Sequence, residues 1–191
     1  ESYLAKHNQS GRVEGFDWQF NTVEDPTVNA WCMPGGMVVF YTGILDLTAS
    51  DDEIAVIMGH EIAHAIARHG NERMSQQMGI QALGQGLAIA LNEKPAETQQ
   101  IWMTAFGAAS NVGVMLPFSR SHETEADKMG LIFMAMAGYN PNAAVPFWQR
   151  MAELKGGQAP PEFLSTHPSD ETRINDIRNH LPEAMKYYKG N

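Results

Sequence analysis

The sequence predicts an α+β domain that is predominantly helical, with a small β-sheet at its N-terminal end. Three observations carry this. Residues 13–47 read as strand and turn segments broken by Pro34-Gly35-Gly36. From residue 50 onward, apolar residues recur at helical spacing instead. At 191 residues and 21.1 kDa the chain is long enough for one core but not comfortably for two, so 1–191 is expected to form a single domain.

Element by element, Val13–Phe20 alternates imperfectly and is predicted as a first strand. Asn29–Met33 and Met37–Thr42 flank the Pro-Gly-Gly breaker, which predicts a strand pair around a turn. Ser50 and Glu53 have capping-box spacing and open a helix predicted to run to about His69, with Gly70-Asn71 as its stop. Residues 72–92 and 97–115 are Gly/Ala-rich and predicted helical. A further helix over 119–137 is closed by Gly138 and Pro141, and another covers 142–155. A Gly/Pro loop spans 156–168, and Ser169 is expected to cap a last helix reaching His180. Ile101–Phe118 carries no charge, but Thr104, Ser110 and Asn111 interrupt it and it falls short of the ~20 apolar residues of a membrane span, so a buried core helix is expected there.

Composition narrows the function. With 43% hydrophobic and 18% charged residues the chain is not disordered as a whole. A net charge of −9 without any Lys/Arg-rich block speaks against a nucleic-acid partner. Cys32 is the only cysteine, which excludes an internal disulfide and a cysteine-based metal site. The 12 methionines are read as flexible core fillers. Glu1–Lys6 has no apolar stretch, so membrane association is expected only through a segment absent from this chain.

The chemistry centres on His60-Glu61-Ile62-Ala63-His64. At i and i+4, two imidazoles share one helical face and can bind a single zinc ion, while Glu61, rotated by about 100°, can take a proton from water at the metal. A catalytic zinc needs a third protein ligand and an open position. The metzincin continuation is excluded, because Ala67 and Gly70 stand where Gly and His are required. His69 comes one residue early and is read as a charge partner at a helix C-terminus. The third ligand is then a carboxylate or a distant His. Glu123 is the best candidate, with Asp127 one turn later placed to accept the second N–H of a ligand imidazole. Ala126 and Gly130 are small enough to let that helix press against the 60–64 helix, while Glu125 points away.

Taken together, His60-Glu61-xx-His64, Ser119-Arg120-xx-Glu123-xx-Ala126-Asp127, Asn29-Ala30-Trp31-xx-Pro34-Gly35-Gly36 and Thr166-His167-Pro168 resemble the gluzincin peptidases that include the CAAX prenyl proteases and HtpX-like heat-shock proteases. The resemblance covers about 29–175. It implies a zincin-type catalytic domain, an endopeptidase acting on protein or peptide substrates with one Zn2+ per chain, ligands His60, His64 and Glu123, and Glu61 as base. Within that family the chain is more similar to soluble, envelope-located bacterial members, in the periplasm or outer envelope and concerned with protein quality control, than to a mitochondrial stress protease. The resemblance also implies that Asn29, Ala30 and Trp31 lie on an edge strand that extended substrate joins. His167 would stabilise the oxyanion or fill the open zinc position at rest, and Arg173 would orient its loop. A different class of function, a non-catalytic zinc-containing chaperone or assembly factor binding unfolded chains, leaves Glu61 without a job.

Overall fold

A small three-stranded sheet backs a set of helices in the computed structural model, which describes residues 2–154, 163–168 and 170–190. The chain divides into two compact units, residues 1–67 with 123–191, and residues 68–122.

The first unit opens with α1 (Ser2–Lys6), then β1 (Gln19–Val23), β2 (Ala30–Cys32) and β3 (Met37–Tyr41). The sheet order is β1-β3-β2. β2 runs antiparallel to β3 with Trp31 opposite Val39, and β1 runs parallel to β3 with Asn21 opposite Val39. β2 and β1 are therefore the two edges. Gly35 and Gly36, at φ +98 and +99, make the turn expected between β2 and β3. The first strand starts later than its alternation predicts. Gly15 at φ +80 interrupts the extended run, Phe16 N–H donates back to the Val13 carbonyl, and pairing begins only at Gln19.

Next come α2 (Thr42–Leu45) and α3 (Asp51–Ala67). The capping spacing works with one change. Ser50 Oγ accepts from the Glu53 amide at 3.4 Å, while the Glu53 carboxylate reaches past Ser50 to the Ala49 amide at 2.7 Å and pairs with Arg150. α3 stops at Arg68, whose φ of +63 is left-handed, and Gly70 lies inside the following helix rather than ending α3. The unit continues with the C-terminal part of α6 (Leu116–Met136), α7 (Ala144–Leu154), α8 (Phe163–Thr166) and α9 (Glu171–Ala184). α8 forms where a loop was predicted; residues 156–162 of that loop and Ser169 lie outside the described residues. α9 is capped by Asp170, whose carboxylate accepts from the Arg173 amide at 2.9 Å. Val38, Phe40, Ile57, Phe147, Trp148, Met151, Phe163 and Ile177 form the heart of the core.

The second unit holds α4 (His69–Ala90), α5 (Ala96–Ser110), a π turn over Asn111–Met115 and the first turns of α6. Here the expectation of a buried helix over 101–118 fails. None of the residues of α5 is buried, and Ile101 and Trp102 are 68% and 56% exposed. Apolar composition alone does not determine what a helix packs against. The methionines divide similarly: Met129, Met134 and Met151 fill core, whereas Met33, Met74 and Met78 are exposed.

One contact positions the site. α3 and α6 cross at Gly59 and Gly130, where a Cβ on Gly130 would sit 2.8 Å from backbone atoms of Gly59 and His60. No side chain fits that gap. Gly130→Ala is expected to destabilise the fold by about 1–3 kcal/mol, as overpacking does, in urea unfolding. Gly79→Ala, on α4 with nothing within 4 Å, should be neutral or stabilising. Equal stabilities for Gly130→Ala and the parent chain would contradict the crossing.

Candidate metal centre and active site

The α3–α6 crossing places His60 and His64 of α3 against Glu123 and Asp127 of α6, all within the first unit. The imidazoles lie one turn apart, edge to face, with His60 Nε2 and His64 Nε2 3.0 Å apart. Glu123 faces both, its two oxygens 3.3 Å from His60 Nε2 and 3.3 Å from His64 Nε2. His167, between α8 and α9, completes the cluster, its Nδ1 at 3.0 Å from His60 Nε2 and 3.1 Å from each Glu123 oxygen. The candidate ligand atoms of His60, His64, Glu123 and His167 all lie within 4.8 Å of one another, so the group could hold a metal ion. Glu125 is exposed, on the other side of α6.

Around this cluster is a shell of oriented partners. His60 Nδ1–H donates to Asp127 Oδ1 at 2.9 Å, which leaves Nε2 to face the cluster. Arg173 of α9 clamps Asp127 through two parallel bonds, Nε to Oδ2 at 2.8 Å and an Nη to Oδ1 at 2.9 Å. A second Nη lies 3.1 Å from Glu123 and donates to the Pro168 carbonyl at 3.2 Å, so Arg173 fixes both carboxylates and the His167 loop. Its guanidinium lies 3.6 Å over the Trp148 ring. The sequence pointed to Arg173 only as a loop contact. Its grip on Asp127, and Trp148 beneath it, depend on α7 and α9 returning to α6, which no local pattern encodes.

Electrostatics explains why these groups tolerate burial. Glu61, Glu123 and Asp127 are buried carboxylates facing one guanidinium, which leaves the cluster short of positive charge. Burial pulls the His60 pKa down, but the Asp127 hydrogen bond and charge, with Glu123, lift it to about 9. His64 is lowered to about 3, by burial first and then by the charge of His60. Burial alone would raise Asp127, but Arg173 and His60 hold it at about 2. Glu123 is likewise held well below the carboxylate range by its three imidazole partners, against its burial. A divalent cation bound by neutral imidazoles would supply the positive charge that His60 otherwise supplies by protonation. The donor set therefore fits a metal.

Glu61 stands apart. Its Oε1 is enclosed and accepts no hydrogen bond from the described residues, with His167 Nε2 3.4 Å away. Burial raises its pKa, and the charges of His167 and His60 oppose this. Asn29, Ala30 and Trp31 sit at or beside the start of β2, an edge strand. Cys32, the last residue of β2, feels the Glu61 charge. His69 is not at a helix C-terminus. It is the buried first residue of α4, stacked on His122 with ring centroids 4.2 Å apart, and His122 pairs with Glu72 at 2.8 Å.

The chain is similar to known proteins over most of its length. The family described as Peptidase family M48 matches residues 2–181. The mitochondrial metalloendopeptidase OMA1 of Schizosaccharomyces pombe is 38% identical over 170 residues, covering 88% of this chain and 48% of that protein. The corresponding OMA1 of Arabidopsis thaliana is 35% identical over 185 residues, 96% of this chain and 36% of the relative. The beta-barrel assembly-enhancing protease of Yersinia pestis is 29% identical over 166 residues, 85% of this chain and 34% of the relative. The chain thus spans about half or less of the length of these curated relatives.

The Cys32 thiol yields a test of the site's electrostatics. Burial, then the Glu61 charge, pushes its pKa up to about 12. Since the thiolate is the nucleophile, iodoacetamide at pH 8 should alkylate Cys32 about a hundredfold more slowly than free cysteine, with the rate rising only well above pH 9. A rate at pH 8 equal to that of free cysteine would contradict this placement.

Proposed function

We infer that this chain, which belongs to peptidase family M48, is the catalytic part of a zinc-dependent endopeptidase acting on protein substrates in quality control. The observation that carries the reading is Glu61: a buried carboxylate with an unbonded oxygen beside a cluster of three imidazoles and a carboxylate. A structural metal site has no need of such a group, whereas a hydrolase needs a base there.

His60, His64 and Glu123 are the proposed zinc ligands, one ion per chain. Bound there, zinc supplies Lewis acidity toward a scissile carbonyl and toward water. Glu61 takes the proton from the attacking water at its carboxylate and returns it to the leaving amine; its raised pKa suits both halves of that exchange. Asp127 holds the His60 tautomer, and Arg173 holds Asp127. His167 is proposed as a fourth ligand at rest, supported by its contact with both His60 and Glu123. It must swing away for substrate to enter. Extended substrate is proposed to add along the outer edge of β2, the edge strand that Asn29, Ala30 and Trp31 open.

The relatives are named for mitochondria and for beta-barrel assembly. We assign this chain to the bacterial envelope setting, with misfolded or envelope proteins as substrates.

Casein cleavage and bound zinc, measured together, test the assignments. Glu61→Gln is expected to keep zinc and lose at least about a hundredfold in turnover. Glu123→Gln should lose zinc and activity together, while Glu125→Gln should change stability by no more than about 0.5 kcal/mol and leave both readouts intact. Wild-type cleavage by Glu61→Gln would overturn the base; zinc loss in Glu125→Gln but not Glu123→Gln would overturn the ligand. For His167→Ala, retained zinc with faster cleavage is expected of a resting ligand, and slower cleavage would assign it to the oxyanion instead.

A further inference from the structure

The second unit presents an apolar surface that the catalytic reading does not use. From Thr98 to Ser119 no residue is charged, a helical length of roughly 30 Å, comparable to a bilayer's hydrocarbon core. Within the Ala96–Met136 helical stretch the most apolar 18-residue window has a mean hydropathy of 1.3 and is 0% buried. A core helix of a soluble protein is mostly buried, and a signal sequence lies at an N-terminus; this segment is neither. Its outward residues are Ile101, Trp102, Ala105, Val112 and Leu116, all exposed. The inward side holds Phe106, which packs on Gly84 of α4.

The partner helix decides how such a hairpin meets lipid. α4 also exposes Met78, Leu83 and Ile89, but Gln77, Gln81 and Gln85 are interspersed along the same helix and are exposed too. Three solvated amides on one helix are incompatible with crossing the hydrocarbon beside α5. They suit a hairpin lying in the interface with α5 turned toward the acyl chains. Arg73 and Arg120 stand at one end of the hairpin and Glu93, Lys94 and Glu97 at the other, so the ends are charged and the middle is not. Basic and acidic residues nearly balance across 68–122, while the whole chain carries −9. Attraction to anionic lipid therefore cannot drive the contact. Trp102 lies on the outward face, and indoles favour the headgroup boundary in which such a hairpin lies. A second copy is the poorer occupant: a stripe one helix wide and about 24 Å long offers on the order of 300 Å² per copy, well short of the ~800 Å² of a stable interface.

We propose that the α4–α5 hairpin is a monotopic membrane-binding element, seated in the interfacial layer of a lipid bilayer through the outward face of α5 and of the π turn that follows it. Flotation of the full chain with phosphatidylcholine vesicles tests it. The chain should co-float with vesicles free of anionic lipid, equally at 0.1 and 1 M salt. Ile101→Glu/Val112→Glu, both at exposed positions, should reduce the floated fraction about tenfold or more while leaving the circular dichroism spectrum and casein cleavage unchanged. Gln81→Glu/Gln85→Glu adds the same charge to α4 and should still float. Failure of the parent chain to float, or undiminished flotation of the Ile101→Glu/Val112→Glu variant, would overturn the proposal. So would a concentration-dependent dimer, seen by light scattering and lost in that variant, with no flotation, since a second copy would then cover the face.

Discussion

The approach of α3 to α6 at Gly59 and Gly130 is the constraint on which the site depends. With a Cβ at either glycine, the helices would have to separate, because the nearest atoms are backbone and cannot rotate aside. The distances between His60, His64, Glu123 and Asp127 are then consequences of helical phase. His60 follows Gly59 directly, and Asp127 and Glu123 lie one and two turns before Gly130 on α6. A crossing even 1 Å wider would open the 2.9 Å bond between His60 and Asp127.

Burial of so many ionisable groups is stable only because each has a defined partner. Arg173 neutralises Asp127 and contacts Glu123, and Trp148 supports its guanidinium from below. Glu61 is the exception, with an enclosed oxygen that accepts no hydrogen bond among the described residues. Leaving a buried acceptor unbonded costs about 1–3 kcal/mol. An unbonded carboxylate at the edge of a cluster that could hold a metal ion is the kind of local deficit that function retains.

The fold class and most helices were legible because their signals are local. The left-handed turn at Gly35-Gly36 and the Ser50–Glu53 cap rest on a few neighbouring residues. The nearness of His60 to His64 and of Glu123 to Asp127 needs only the period of 3.6, and the smallness of Gly130 hinted at the crossing. What the sequence did not reveal depends on long-range return of the chain. Arg173 comes from α9 to clamp α6, and His69 turns from a surface end into a buried stack on His122. Residues 101–118 failed for a different reason. Hydropathy reports that a segment avoids water, not whether protein or lipid receives it, so an uncharged helix was read as core when α5 is bare.

Anomalous diffraction from zinc-loaded crystals, collected at the zinc absorption edge, reads directly whether the proposed zinc ion binds where α3 and α6 meet. The expected result is a single strong peak per chain, at about 2.0–2.2 Å from His60 Nε2, His64 Nε2 and a Glu123 oxygen. A peak coordinated by other residues, or none in crystals grown with excess zinc, would contradict the account.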